Sequence, residues 1–165
     1  MRRVVCDTGP LLHLRETGAL ELLSLAGEVH IPIAVDEEMR FQAAGWPTDR
    51  PAWLRVTSLV PPHDYEAEAW RQAGLLDAGE AAAIALARQL AVDWLLTDDA
   101  AARLLAQSLN LEVHGSLGVL LWAAAAGHLS RVEAGLFVKR LAGSSLWLSA
   151  RVLAEAEAAL DQLSS

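Results

Sequence analysis

Two carboxylates stand side by side in the segment DWLLTDDAAARLL, where an apolar run meets an alanine-rich stretch. Asp98 and Asp99 are like charges at adjacent positions, and carboxylates gathered in one place repel each other and raise each other's pKa. A bound divalent cation removes that repulsion, so the pair suggests a metal site. The alternative is structural, because Asp is also a favoured residue for capping the start of a helix.

Two further acids occupy comparable places along the chain. Asp7 ends the predicted strand 2–6, and Glu80 opens the predicted helix 77–91. In a parallel sheet the functional crevice lies beyond the carboxyl ends of the strands, so Asp7 would meet the Asp98–Asp99 pair there if their strands are neighbours. Each acid also has a structural interpretation: Asp7 could form a turn, and Glu80 could complete a capping box with an aspartate three residues before it.

A fifth candidate lies in the predicted helix 33–45. At about 100° per residue, Glu38 falls on the border of the apolar stripe that contains Val35, whereas Glu37 points toward solvent. Glu38 is therefore the better candidate of the two to face inward, although a single glutamate on a helix is commonly just a solvated side chain.

The chemistry that such a set of acids could perform is hydrolysis of a phosphodiester bond. Carboxylate oxygens without clustered histidine or cysteine favour Mg²⁺ or Mn²⁺ over Zn²⁺, and Cys6 is the only cysteine of the chain. Such a metal site can activate water and stabilise an in-line attack on phosphorus.

The elements that must position these acids alternate between strand and helix patterns. This alternation predicts an α/β sandwich with a mainly parallel sheet. The predicted strands are 2–6, 28–32, 54–60, 93–97 and 111–115, the segment 46–53 is a predicted loop, and the predicted helices lie in 9–27, 33–45, 63–74, 77–91, 99–110, 116–127, 130–143 and 149–163. We expect one domain, 1–165, in which the C-terminal helices (about 116–163) pack on the sheet or form a dimer surface.

Composition narrows the class of protein. The chain has 165 residues, 53% of them hydrophobic and 21% charged, with 13 basic against 21 acidic residues and a net charge of −8. No apolar run reaches the roughly 18 residues that span a bilayer, and the first residues do not have the pattern of a signal peptide. We therefore expect a cytoplasmic protein without membrane association.

Five segments in order give the chain a recognisable likeness. They read VVCDTGPLLHL, IPIAVDEE, LDAGEAAAIALA, LLTDDAAARLLA and VHGSLGVLLWA, and together they cover about residues 3–126. In their order and distances they resemble the PIN-domain family of metal-dependent ribonucleases, and within it the compact prokaryotic members related to VapC-type toxins.

The resemblance implies a fold, an activity and a site. The fold is a three-layer α/β/α sandwich, often dimeric, and the activity is hydrolysis of RNA with Mg²⁺ or Mn²⁺. Many members are toxins silenced by a cognate antitoxin, so an RNA substrate, an antitoxin and a second copy are the expected partners. Thr8 and Ser116 match positions where polar groups support the site. The acids that match the family's catalytic residues are Asp7, Glu38, Glu80, Asp98 and Asp99. Of these, the implied metal ligands are Asp7, Glu80, Asp98 and Asp99. The resemblance leaves open which of Asp98 and Asp99 binds the metal directly.

The chain departs from the family pattern in its scarcity of basic residues. Arg15, Arg40, Arg71 and Arg103 could contact phosphates, but exposed salt bridges are the usual fate of such arginines. The weak basicity leaves open a catalytically inactive PIN-like module that binds protein. A phosphatase with an aspartate nucleophile is a third alternative, which Gly9 disfavours because that chemistry usually needs a second acid there.

The aromatic residues and histidines are assigned mainly to structure. Trp70, Trp94 and Trp122 lie in apolar elements and are predicted core residues, whereas Trp46 and Trp53 flank a proline-containing loop. Packing that loop onto the body of the protein is favoured over stacking on nucleic-acid bases. None of the five histidines shows the spacing of metal ligands, so all are predicted to have structural roles.

Overall fold

Five parallel strands form the central sheet of the computed structural model, which describes residues 1–163. The last two positions of the predicted domain 1–165 lie outside the described residues. The strands are β1 (Arg3–Cys6), β2 (Glu28–Pro32), β3 (Leu54–Thr57), β4 (Trp94–Leu96) and β5 (Val113–His114). Their order across the sheet is β3-β2-β1-β4-β5 and every neighbouring pair is parallel. The predicted parallel sheet is confirmed.

Ten helices surround the sheet within residues 1–163. They are α1 (Thr8–Thr17), α2 (Leu22–Ala26), α3 (Ile33–Gln42), α4 (Trp46–Asp49), α5 (His63–Gln72), α6 (Ala78–Leu90), α7 (Ala100–Ser108), α8 (Ser116–Ala125), α9 (Arg131–Ala142) and α10 (Ala150–Asp161). The longest of them, α6, begins with a capping box and is buried along most of its length, which is the central position its broad apolar surface predicted. None of the helices in the described part of the chain is long and apolar enough to cross a membrane.

The two faces of the sheet carry separate cores because side chains alternate along a strand. On β1, Val4 and Cys6 point into one apolar cluster and Val5 into the other. On β4, Leu96 belongs to the first cluster and Leu95 to the second. The first cluster is supplied by α1, α2, α3, α4, α8, α9 and α10, and the second by α5, α6 and α7. The predicted three-layer α/β/α sandwich is therefore confirmed.

The direction of the chain across the sheet reverses beside β1. From β1 the chain moves outward through β2 to β3, and it then returns to the other side of β1 to form β4 and β5. In open parallel sheets, ligands bind beyond the carboxyl ends of the strands at such a reversal. Helix α3 contacts both α1 and α6, so it lies beside this edge of the sheet and brings its own side chains to it.

Two local predictions need correction. The predicted strand 54–60 ends at Thr57, because its neighbour β2 ends at the paired residue Pro32 and offers no further backbone partner. The predicted loop 46–53 begins with the short helix α4. Trp46 is fully buried there, so this end of the segment packs onto the body of the protein. For Trp46, the predicted packing role is therefore confirmed.

Candidate active site

Asp7 is a buried carboxylate at the carboxyl end of β1. The backbone N–H of Asp7 donates to the carbonyl of Leu96 on β4 (2.9 Å). The side-chain Oδ1 accepts from the N–H of Thr8 (2.8 Å) and Oδ2 from the hydroxyl of Thr97 (2.9 Å). Only 4% of the residue is exposed. Burial raises the pKa of Asp7 to about 7, although the hydrogen bonds from Thr8 and Thr97 act in the opposite direction.

The two acids of the doublet have different environments. Asp98 faces inward: its Oδ1 accepts from the N–H of Ser116 (2.7 Å), and its Oδ2 accepts from the Ser116 hydroxyl (2.5 Å) and from Nδ1 of His13 (2.7 Å). Burial alone would raise the pKa of Asp98, but the hydrogen bonds from His13 and Ser116 lower it below its ordinary value. Asp99 is exposed and caps α7 by accepting from the N–H of Ala102 (2.9 Å). The capping interpretation therefore holds for Asp99 and not for Asp98.

Glu80 combines the capping role with a position in the cleft. Its Oε1 accepts from the N–H of Asp77 (2.9 Å), and Oδ1 of Asp77 accepts from the N–H of Glu80 (2.8 Å), which completes the capping box of α6. Burial, together with the nearby carboxyls of Asp99 and Asp77, raises the pKa of Glu80 to about 8. Two of the acids predicted from distant parts of the sequence, Glu80 and Asp99, are thus close enough to influence each other.

Glu38 is the acid that joins the two helical layers. Its Oε2 accepts from the hydroxyl of Thr8 on α1, and its Oε1 accepts from the N–H of Gly79 on α6 (2.9 Å). A Cβ added at position 79 would overlap the Glu38 carboxylate, so a side chain there would displace that carboxylate from its present position. Glu38 is half-buried whereas Glu37 is exposed, as the helical period predicted. Burial and the charge of Asp77 raise the pKa of Glu38.

A second buried aspartate, Asp36, fixes the helix that carries Glu38. Its Oδ1 accepts from Nε1 of Trp46 (2.9 Å) and from Nη1 of Arg50 (3.0 Å), and its Oδ2 accepts from Nε of Arg40 (3.3 Å). Burial would raise the pKa of Asp36, but these three donors lower it. Asp36 is therefore a structural anion with cationic partners, in contrast to Asp7.

All five predicted acids line one cleft of about 300 Å³ at the carboxyl edge of the sheet. They come from the ends of β1 and β4 and from α3 and α6, which are far apart in sequence. The remaining lining residues are Thr8, Gly9, Leu12, His13, Gln42, Asp77 and Leu146. Thr8 and Ser116 hydrogen-bond the acids, in agreement with the supporting positions that the resemblance implied.

Three polar contributors were not predicted as site residues. His13 was assigned a purely structural role, but it lies in the cleft against Asp98, and no ligand spacing in the sequence marks it. Thr97 hydrogen-bonds Asp7 across neighbouring strands, a relation visible only once β1 and β4 are known to pair. Asp77 was predicted only as a helix cap, although its capping box with Glu80 placed it next to a candidate acid.

The arginines named as possible phosphate contacts have divided roles. Arg15 pairs with Asp49, Arg40 with Asp36 and Arg71 with Glu68, which is the salt-bridging fate expected for exposed arginines. Arg103 forms no ion pair with any residue in 1–163; its Nη1 lies 3.4 Å from the carbonyl oxygen of Thr97. It is therefore the one of the four whose charge remains available beside the acids.

The donor set fits a hard divalent cation in its chemistry. All candidate ligands are carboxylate oxygens, the kind of donor that Mg²⁺ and Mn²⁺ prefer. Within residues 1–163, Asp7, Glu38 and Glu80 have no cationic side chain at ion-pair distance, and the pKa of each is raised. No three acidic, histidine or cysteine side chains in that range are already arranged as a metal-binding group.

Of two comparisons with known proteins, one gave a match and the other gave none. A family model described as a PIN domain matches residues 3–162, which is nearly the entire chain. A search of curated proteins found no significant match.

Proposed function

Because the chain belongs to the PIN-domain family, whose members are generally nucleases, we propose that it is a metal-dependent endoribonuclease. The observation that carries the proposal is the convergence of Asp7, Glu38, Glu80 and the Asp98–Asp99 pair on a single cleft. Hydrolysis of a phosphodiester needs a concentrated negative site that a divalent cation can neutralise and bridge to the phosphate. The raised pKa values of the acids without cationic partners support this reading.

Asp7, Glu80, Asp98 and Asp99 would hold Mg²⁺ or Mn²⁺, and Glu38 completes the catalytic set. When bound, the cation supplies positive charge to the acids and to the phosphate and makes water easier to deprotonate. Thr97 and Thr8 orient the Asp7 carboxylate, while Ser116 and His13 orient that of Asp98.

Proton transfer is assigned to Glu38. Its pKa is raised, and a carboxyl whose pKa lies nearer neutrality accepts and releases a proton more effectively under physiological conditions. The Glu38 carboxylate accepts a proton from the attacking water, the water oxygen bonds to phosphorus, and the bond from phosphorus to the leaving ribose oxygen breaks. The protonated Glu38 carboxyl then donates that proton to the leaving oxygen. Because water attacks phosphorus directly, no covalent enzyme intermediate is formed.

The test compares Glu38, whose side chain is half-buried in the cleft, with its exposed neighbour Glu37. We expect the purified wild-type chain to cleave a labelled RNA with Mg²⁺ or Mn²⁺ and to stop when EDTA is added. Glu38→Gln should reduce the cleavage rate by about 10²–10⁴-fold, and Asp7→Ala should abolish it. Glu37→Gln is the matched control, because Glu37 is exposed on the same helix, and its rate should stay at the wild-type value. Normal cleavage by Asp7→Ala would overturn the assignment.

The alternative of an inactive interaction module makes a different prediction for metal binding. Calorimetry of folded wild-type protein should give binding heat with Mg²⁺ or Mn²⁺ if the chain is a nuclease. Folded protein that neither binds these cations nor cleaves RNA would favour the interaction module, whose acidic surface would then contact a protein.

We further propose that the chain is a VapC-like toxin component of a toxin–antitoxin module and that it forms a homodimer. The motifs shared with such proteins support this role. Induced expression should arrest growth of the host, Asp7→Ala should not, and co-expression of a small protein encoded beside it should restore growth. Light scattering at several concentrations tests the dimer, and a strict monomer would refute that part.

A further inference from the structure

A second cavity opens directly beside the acid cleft. Its volume is about 430 Å³, and it shares Asp98 and Leu146 with the cleft. Leu117, Leu121 and Val152 give it an apolar wall. The nuclease mechanism proposed above uses only Asp98 of this cavity, so the cavity has no assigned role.

A guanidinium group stands at the border between the two cavities. Arg103 is half-buried. A Cβ added at Gly115 would lie 3.0 Å from Nη1 of Arg103 and 2.7 Å from Oδ1 of Asp98. The guanidinium and that carboxylate oxygen therefore border the same small space beside Gly115. Arg103 has no carboxylate at ion-pair distance within residues 1–163, unlike most arginines of that range. A guanidinium with free donors matches the planar, two-point geometry of a phosphate.

An exposed indole forms the outer wall of the same cavity. Trp147 is 82% exposed, in a segment that is nevertheless firmly held: the N–H and hydroxyl of Ser145 donate to the carboxylate of Glu16 on α1 (2.8 and 2.6 Å). A large aromatic surface presented to solvent on an anchored segment is the arrangement with which proteins stack unpaired bases. Trp53 differs from Trp147, because its indole Nε1–H donates to the carboxylate of Glu21.

We propose that this second cavity binds the base of the nucleotide next to the scissile phosphate, an inference that rests on the proposed nuclease function. The base stacks on Trp147, the adjoining phosphate pairs with Arg103, and the backbone continues past Asp98 into the acid cleft. A base inside a duplex is already stacked and cannot reach the indole, so the occupant is an unpaired nucleotide of single-stranded RNA. Arg103 thereby supplies local positive charge in a chain whose net charge is −8.

The experiment measures binding without cleavage. The probe is a fluorescein-labelled single-stranded RNA decamer in EDTA, followed by fluorescence anisotropy. Loss of one base–aromatic stack, about 1–3 kcal/mol, should weaken binding by Trp147→Ala roughly 5- to 150-fold. Trp147→Phe keeps an aromatic face and should retain most of the affinity. Tyr65→Ala is the matched control, because Tyr65 is 69% exposed and lines neither cavity.

The role of Arg103 is tested through salt dependence. For single-stranded nucleic acid, each neutralised phosphate contributes about 0.7 to the slope of log affinity against log salt concentration. Arg103→Gln should reduce the magnitude of the slope by about that amount. Arg131→Gln, at an exposed arginine in a separate groove between α9 and α10, should leave the slope unchanged.

The outcomes separate this inference from the proposed function. If the wild-type chain cleaves RNA but Trp147→Ala binds the decamer as Tyr65→Ala does, the base-binding site is refuted and the nuclease stands. If the wild-type chain neither binds nor cleaves RNA, both fail. If Trp147→Ala leaves RNA binding unchanged and instead alters the oligomeric state, a second copy of the chain covers the cavity and the inference is wrong.

Discussion

Replacing Asp7 by asparagine should stabilise the metal-free protein, although it removes the residue placed at the centre of the site. The folded state raises the pKa of this carboxyl from 3.8 to about 7. Its contribution to stability is therefore greatest below pH 3.8 and is lost as the pH rises to about 7, since the folded state resists ionisation of the acid.

The magnitude follows from the pKa difference. About three pKa units at 1.36 kcal/mol each correspond to roughly 4 kcal/mol of lost unfolding free energy at pH 8. Asparagine has no charge to desolvate and still accepts the N–H of Thr8, while a poorer bond with Thr97 costs about 1 kcal/mol. The net gain of about 3 kcal/mol should raise Tm by roughly 6–12 °C for a chain of this size.

The assay is thermal unfolding in EDTA at pH 8 and pH 4, with and without Mn²⁺. The advantage of Asp7→Asn should shrink to less than about 1 kcal/mol at pH 4, because the wild-type carboxyl is then protonated in the folded state and only partly ionised in the unfolded state, where its pKa is 3.8. Saturating Mn²⁺ should raise the Tm of the wild-type chain and have much less effect on the variant, because only binding to the folded state stabilises it. Equal or lower stability of Asp7→Asn in EDTA at pH 8 would refute the reasoning.

Two further substitutions probe the groups around the acids. Asp36→Asn should lower the free energy of unfolding, whereas Asp7→Asn should raise it. The expected loss in urea unfolding is about 1–3 kcal/mol, because asparagine weakens the charge-assisted hydrogen bonds to two arginines. A stabilised variant would contradict the structural role given to Asp36. Gly79→Ala should displace the Glu38 carboxylate, because the added Cβ overlaps it, while alanine itself suits the helix. RNA cleavage should fall at least tenfold, and most of the stabilisation by Mn²⁺ should be kept. A wild-type cleavage rate in this variant would show that the position of Glu38 is unimportant.

The sheet and the acids could be predicted from sequence because each depends on local pattern. Apolar runs marked the strands, and the helical period separated Glu38 from Glu37. The meeting of Asp7 with Asp98 also followed, once parallel strands were assumed to be neighbours, since their carboxyl ends share one edge.

Contacts between distant side chains could not be predicted in this way. Nothing near His13 indicates that its ring faces Asp98, 85 residues later, because that contact depends on how α1 lies against the end of β4. The different roles of Asp98 and Asp99 have the same origin: one side chain meets Ser116 and the other the first turn of α7. The exposure of Trp147 likewise depends on the contact of its segment with Glu16, across 129 residues.

The position of β1 in the middle of the sheet has a consequence for biosynthesis. The strand that is made first must wait for β4, some 90 residues later, before Asp7 acquires its bond from Thr97, and Leu146 on the cleft wall is translated later still. A growing polypeptide on the ribosome therefore carries the first acid long before it carries a complete catalytic cleft. If the chain cuts RNA, this order of assembly delays cleavage until β4 and the segments that follow it have been made.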